Sequence, residues 1–326
     1  MAADWTVDTL APSAPSLSGN PAPRTNSISA SIGFSGEDSA SVTCSVDGGA
    51  YAPCGDSPKS LSGLSVGNHS LAVKQTDQAG NTSIAATAYW TVDLTAPAAP
   101  TVVSHPSALT NASSGSVGFT GEANATFSCS VDGGEYSGCS SPRALTDLPE
   151  GVHSFAVKQT DQAGNSGPEA TTSWTVDLTA PNAPSIGSQP PDRTNSSSAS
   201  VAFIGAEVGG SYVCSIDGGS YAACSSPKSL KALSAGSHSL DVKQVDGAGN
   251  TGAAITASWL VDLTAPSAPV LSGRPAARTN STSASIGFSG EDSASFTCSV
   301  DGGSYSSCAS PKSFSGLTDG SHSVSV

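Results

Sequence analysis

The chain has 326 residues, a formal net charge of −14, and only 12 Lys and Arg with no cluster among them. Nucleic acid and anionic membrane are therefore poor partners, because both need cations gathered on one face. No apolar run approaches the roughly 20 residues that span a bilayer, and Met1-Ala2-Ala3-Asp4-Trp5 lacks the basic and apolar segments of an export signal, which is expected to lie elsewhere.

Charged residues make up 12 % of the chain, with 35 Gly and 21 Pro. Low charge and abundant Ser and Thr resemble a disordered composition, yet Val, Ile, Phe and Trp fall at regular alternating positions, which disordered chains lack. The four tryptophans, Trp5, Trp90, Trp174 and Trp259, are 85, 84 and 85 residues apart. A period of that length exceeds ankyrin or TPR units and suits a small β-sandwich.

Each Trp opens the same stretch, for example Trp90-Thr91-Val92-Asp93-Leu94-Thr95-Ala96-Pro97-Ala98-Ala99-Pro100. It reads as a short alternating strand that ends in Asp and passes into a stiff Pro-x-x-Pro linker. Residues 1–8 align with that closing strand and are expected to be the last strand of a preceding or neighbouring repeat.

Repeat 1 covers residues 9–93. Strands are expected over Ser27–Ser35 and Ser41–Val46, which alternate polar with apolar residues. Asp47-Gly48-Gly49 then signals a tight hairpin, and Tyr51 and Cys54 follow. Ser60–Leu64 gives a short strand. Gly67–Asp77 gives a longer one, with Leu71, Val73 and Gln75 on one face. Ala79-Gly80-Asn81 turns the chain, and Ala85–Asp93 returns as the final strand with Ala88, Trp90 and Val92 together. About seven strands and no helical periodicity predict an antiparallel sandwich. Repeats 2 (94–177) and 3 (178–262) copy the plan, and repeat 4 (263–326) reaches the counterpart of Val242, without the Trp strand. The expected fold class is all-β: tandem Ig-like antiparallel β-sandwiches of about 85 residues each, expected to be arranged as an extended rod.

The eight cysteines form four Cys-x9-Cys pairs, Cys44/Cys54, Cys129/Cys139, Cys214/Cys224 and Cys298/Cys308, each bracketing an Asp-Gly-Gly turn. A hairpin brings such thiols within bonding distance, so four disulfides are expected. Zinc and free thiols are the alternatives; x9 is not a zinc-knuckle spacing. Disulfides imply an oxidising, extracellular or cell-surface location.

Three motifs recur together: Thr43-Cys44-Ser45-Val46-Asp47-Gly48-Gly49, then Thr76-Asp77-Gln78-Ala79-Gly80-Asn81, then Trp90 to Pro97. This combination resembles the bacterial immunoglobulin-like repeats strung in tandem in large secreted and surface proteins, adhesins among them. The resemblance implies spacer domains that project something else from a cell.

Catalytic motifs carry little. Gly63-Leu64-Ser65-Val66-Gly67 matches a hydrolase pattern but lacks the helix that motif requires, and repeat 2 has Asp147-Leu148-Pro149-Glu150-Gly151 there. His69, His153, His238 and His322 are expected to hydrogen-bond neighbouring backbone. Asp77, Asp161 and Asp246 fit local Asx turns. Asp93, Asp177 and Asp262 sit at junctions where calcium could stiffen a linker, yet each lacks the further oxygens calcium needs, so no cofactor is expected. Tyr51, Tyr136, Tyr221 and Tyr305 are expected to pack at a sandwich end rather than form an exposed ladder.

The expected function is a structural extracellular rod or fibre, a stalk or adhesin shaft, without catalysis. Its partners are flanking repeats or copies of itself, and a host or cell-surface protein or glycan. Two alternatives stand beside it. One is a filament subunit completed by strand donation from Trp5 and Val7. The other is a spacer or binding module attached to a carbohydrate-active enzyme or phage tail.

Overall fold

Alternation of small polar with apolar residues yields strands throughout: the computed structural model, which describes residues 1–326, has thirty strands and no helix. In repeat 1 they are β1 (Ser16–Ser18), β2 (Arg24–Thr25), β3 (Ala30–Ser35), β4 (Ser41–Val46), β5 (Ala52–Pro53), β6 (Lys59–Leu61), β7 (Gly67–Thr76) and β8 (Ala86–Val92). One sheet has the order β1-β3-β6 and the other β2-β8-β7-β4-β5. That is eight strands rather than seven. β2 is only two residues long, too short for alternation to reveal, and it pairs in parallel with the end of β8 through Arg24↔Thr91 and Thr25↔Val92.

β7 shows the period of two that builds the core. His69, Leu71, Val73 and Gln75 face inward, while Ser70, Ala72 and Lys74 face outward. Its register with β8 sets Leu71 opposite Ala88 and His69 opposite Trp90. The core of repeat 1 is Ile32, Leu71, Val73, Ala88, Trp90 and Val92 with the cysteines Cys44 and Cys54, a single layer between the two sheets. The indole N–H of Trp90 has no acceptor, so this residue contributes through burial.

The eight-strand plan recurs from Thr101–Ser104 to Ala170–Val176 and from Ser185–Ser188 to Ile255–Val261, with cores around Trp174 and Trp259. From Val270–Ser272 to Val324–Ser325 there are six strands in two three-stranded sheets, with Phe288 and Cys298 buried. By contacts the chain divides into two compact units. One is Met1–Pro181 with Val245–Gly252; the other is Asn182–Gln244 with Ala253–Val326.

Residues 1–8 carry the sequence of the closing strand. They belong to no strand, and Trp5 and Val7 are 81 % and 77 % exposed. The alternating pattern is present there, but no strand edge lies beside it to supply hydrogen bonds.

Burial makes the tryptophans unequal. Trp174, which is 2 % exposed, should cost about 3–5 kcal/mol when changed to Ala. Trp5→Ala should cost less than about 0.5 kcal/mol. Urea unfolding of the full chain, followed residue by residue by NMR, measures both.

Candidate functional site

Two local constructions recur along the chain, one at the disulfide hairpin and one where a module meets the one before it. At the hairpin, Asp47 and Gly48 adopt φ of 51° and 72°, the left-handed pair that a type I′ turn requires. β5 then returns beside β4. All four expected cysteine pairs are bonded. Cys44–Cys54, Cys129–Cys139, Cys214–Cys224 and Cys298–Cys308 have Cα separations of 5.0, 5.9, 5.8 and 5.8 Å, and no cysteine is free. Those separations lie within the normal disulfide range.

The four bridges are not the identical copies that the shared spacing predicts. The first cysteine of each pair is buried, and so is Cys54, but Cys139, Cys224 and Cys308 are only half-buried. These three are also the last residues of strands Ser137–Cys139, Ala222–Cys224 and Ser306–Cys308, paired with Phe127, Tyr212 and Phe296. Cys54 instead lies one residue beyond β5, which ends at Pro53. Repeat 1 has that proline, with its fixed φ, where the others have Gly138, Ala223 and Ser307. It also has the smaller Val42 where the others carry a ring, leaving room for Cys54 to sink to 3 % exposure.

The same turn lays its Asp carboxylate against β7. Asp47 Oδ2 is 2.9 Å from His69 Nδ1, and Oδ1 accepts the Ser70 N–H at 2.7 Å. His69 Nε2 lies 2.8 Å from the Ser65 carbonyl. The arrangement repeats for His153 between Asp132 and Pro149, His238 between Asp217 and Ser234, and His322 between Asp301 and Thr318. A carboxylate and a carbonyl can only accept, so both contacts are satisfied together when the ring carries a proton on each nitrogen, and the arrangement favours the protonated form. For His69, His153 and His238 the backbone carbonyl first, and the carboxylate second, raise the pKa above the ordinary value; for His322 the order is reversed. The carboxyl of Asp217 is lowered chiefly by the Ser239 N–H, and that of Asp301 chiefly by His322. For Asp47 and Asp132, burial opposes the shift, but the histidine and the backbone N–H outweigh it. The expected backbone bond of each His is present. Its carboxylate partner, 21 or 22 residues away, leaves no local signal in the sequence.

The second construction is the Asp-x-Ala-Gly-Asn turn. In repeat 2, Asp161 Oδ1 accepts the N–H groups of Ala163 and Asn165, both at 2.8 Å, and Oδ2 accepts the Asn165 side-chain amide. That amide has a second hydrogen, which it donates to the carbonyl of Asp93 at 2.9 Å. The Asx turn expected from sequence is thus also a contact with the strand end of repeat 1. From repeat 1, Asn26 donates its backbone N–H to the Ala163 carbonyl at 2.9 Å and its side-chain amide to the Gly164 carbonyl at 3.0 Å. Gln159, 2 % exposed, clasps the linker: Nε2 donates to the Ala98 carbonyl at 2.8 Å and Oε1 accepts the Glu122 N–H. Asn81 reaches the Asp8 carbonyl and Asn250 the Asp177 carbonyl in the same way.

The junction aspartates act as turn residues. Asp93, Asp177 and Asp262 each bend Oδ1 back to accept the N–H of Thr95, Thr179 and Thr264. No group of three or more His, Cys, Asp or Glu side chains is gathered where one ion could be shared. The cleft beside Asp93, lined also by Arg24, Glu122 and Asp161, has a volume of about 200 Å³, below the usual range for small-molecule pockets.

The tyrosines correct an expectation. Tyr51, Tyr136, Tyr221 and Tyr305 are not sandwich caps but are 42 %, 37 %, 40 % and 61 % exposed. The first three lie under Lys74, Lys158 and Lys243, with Nζ 4.6, 4.2 and 4.4 Å from the ring centroids. Those lysines are the outward residues of the long strand, so the Tyr after the Gly-Gly turn in repeats 1 to 3 meets a cation instead of the core.

No protein-family model and no curated protein matches the chain. Among solved structures it is similar to the chicken CNTN1 FN1–FN3 domains, with 12 % identity over 77 % of this chain and 99 % of that one and a TM-score of 0.36. It is also similar to a tetra-tandem repeat in the extending region of a large adhesion protein, with 17 % identity over 96 % and 94 % of the two chains and a TM-score of 0.35. A third likeness is to the fibronectin(III)-like modules of Clostridium thermocellum CbhA, with 12 % identity over 50 % and 93 % and a TM-score of 0.36. The strand pairings themselves define the class: tandem β-sandwich modules, each stapled by a hairpin disulfide.

The charged clasp makes stability depend on pH with a defined sign. The raised histidine contributes fully below its unfolded value of 6.5, and this is lost as pH rises through the higher folded value. The lowered aspartate contributes fully above 3.8, and this is lost as pH falls through the lower folded value. Thermal melts should therefore place repeat 2 higher at pH 5.5 than at pH 8.5. His153→Gln should flatten that alkaline decline for repeat 2 alone.

Proposed function

We propose that the chain is a structural, non-catalytic segment of an extracellular protein, a stalk or adhesin shaft assembled from bacterial-type Ig-like modules. One observation carries this reading. The same sandwich, with its own buried core and its own hairpin disulfide, recurs along the chain, and repeat 2 meets repeat 1 through a hydrogen-bonded turn. Four disulfides with no free cysteine suit an oxidising compartment. The repeated histidine, the one recurrent side chain with acid–base potential near neutral pH, already has both ring nitrogens engaged. It serves to hold a hairpin rather than to move a substrate proton.

A string of modules under tension has a distinctive mechanical signature. Single-molecule stretching should give successive unfolding events of nearly equal contour length. Each disulfide seals a loop with a sequence separation of 10, so reduction should lengthen each step by about 30 Å at roughly 3.4 Å per residue. One cooperative rupture, or steps unaffected by reduction, would contradict the reading. The proposal also assigns calcium no part at Asp93, Asp177 or Asp262, and melting curves with and without EDTA should superimpose.

The exposure of Trp5 and Val7 leaves a second reading, donation of this segment as a strand to another copy. Light scattering across a concentration series distinguishes the two. Growing assemblies that are lost in a Trp5→Ser, Val7→Ser variant would favour donation.

A further inference from the structure

Within the unit that contains repeats 1 and 2, the linker Pro97-Ala98-Ala99-Pro100 is not the only connection between the two modules. Asn26, on the short strand corner of repeat 1, bonds twice to the turn of repeat 2, at a sequence separation of 138 for the side-chain bond. The turn reaches back through Asn165 to the last peptide of repeat 1. The linker itself is pressed against the turn's exit: a Cβ on Gly167 would lie 2.4 Å from the Pro97 carbonyl oxygen, so only glycine fits.

We infer that the Asp-x-Ala-Gly-Asn turn is a recognition surface whose partner is the end of the preceding module, and that this joint fixes the orientation of repeat 2 on repeat 1. The inference deepens the structural reading and rests on it.

Three features support a joint rather than a chance contact. The turn is braced from within, because Asp161 accepts three hydrogen bonds from its own residues. The Asn165 amide satisfies the turn with one hydrogen and the neighbouring module with the other, a division that requires an amide; a carboxylate at this place could not donate. The contact also recurs within the unit. Asn250 meets the Asp177 carbonyl at 2.8 Å, Asn81 meets the Asp8 carbonyl at 3.1 Å, and a Cβ placed on Gly249 would lie 3.4 Å from Asn111 Nδ2, as one placed on Gly164 would from Asn26 Nδ2. The linker is held from its other side, with Gln159 bonded to the Ala98 carbonyl as Gln75 is to that of Ser13. A chain that needed only a flexible tether would have no use for two buried glutamines aimed at linker carbonyls.

Residual dipolar couplings on the full chain test this directly. In the wild type, repeats 1 and 2 should report one common alignment tensor. Asn26→Ala, outside the turn of repeat 2, and Asn165→Ala, inside it, should each split that tensor into two of unequal magnitude. Chemical shifts in the two cores should stay unchanged. If Asn165→Ala unravels the turn, Asn26→Ala still decides the question. Two results would overturn the inference: separate tensors already in the wild type, or a single tensor that survives Asn26→Ala. Either could occur while stretching still gave the mechanical series expected of a structural array, so failure here is distinct from failure of the function.

Discussion

A module of about 85 residues that closes around eight to ten buried core side chains has little apolar surface to lose. This constraint shapes the rest of the chain. The last strand of each of the first three modules carries the Trp, the largest side chain of the core, and it must be held along its whole length. Val92 ends the buried run, the Asp93 N–H bonds to the Thr25 carbonyl, and the Asp93 carbonyl accepts from Asn165 in the next module. The strand that closes one sandwich therefore also forms part of the surface on which the next one seats.

Polar groups supply what the thin core does not. The disulfide fixes one hairpin, and the chain-entropy view assigns a loop of that size about 2–3 kcal/mol. The histidine fixes the same hairpin to the long strand, its ring lying against the Trp with ring centroids 5.9 to 6.1 Å apart in the first three repeats. In repeats 1 and 2 the buried glutamine, Gln75 or Gln159, fixes the incoming linker. Each device satisfies its polar atoms locally, which is what makes burial of an amide or a charge tolerable. Surface charge pairs add little by comparison: Arg24 to Asp93 spans 3.7 Å at an exposed site.

Much of this is legible in the sequence where the signal is local. Alternation locates the longer strands, Asp-Gly locates the hairpins, and Cys-x9-Cys across those hairpins locates the disulfides. The spacing does not reveal that Cys139, Cys224 and Cys308 stay half-buried while Cys54 does not, because that depends on the residue facing each from the next strand. Alternation puts Gln75 on the inward face of its strand, but its partners at Ser13 and Glu37 lie 62 and 38 residues away. The His–Asp clasp and the Asn165–Asp93 contact are hidden for the same reason, at separations of about 22 and 72. Arg24–Thr25 is too short to show a period, and its parallel pairing leaves no mark in composition. The tyrosines mislead because an aromatic after a turn resembles a core residue. The lysine that covers it belongs to a different strand.

The most direct measurement is amide hydrogen exchange at Asn26 in the intact chain. Its N–H is bonded to the Ala163 carbonyl of the next module, whereas the Asp93 N–H, bonded to Thr25 within repeat 1, serves as the internal reference. A chain of modules joined by a recognised surface predicts that Asn26 is protected alongside Asp93. Exchange of Asn26 at the rate of an open loop while Asp93 stays protected would contradict it, leaving the modules as beads on a proline-rich string.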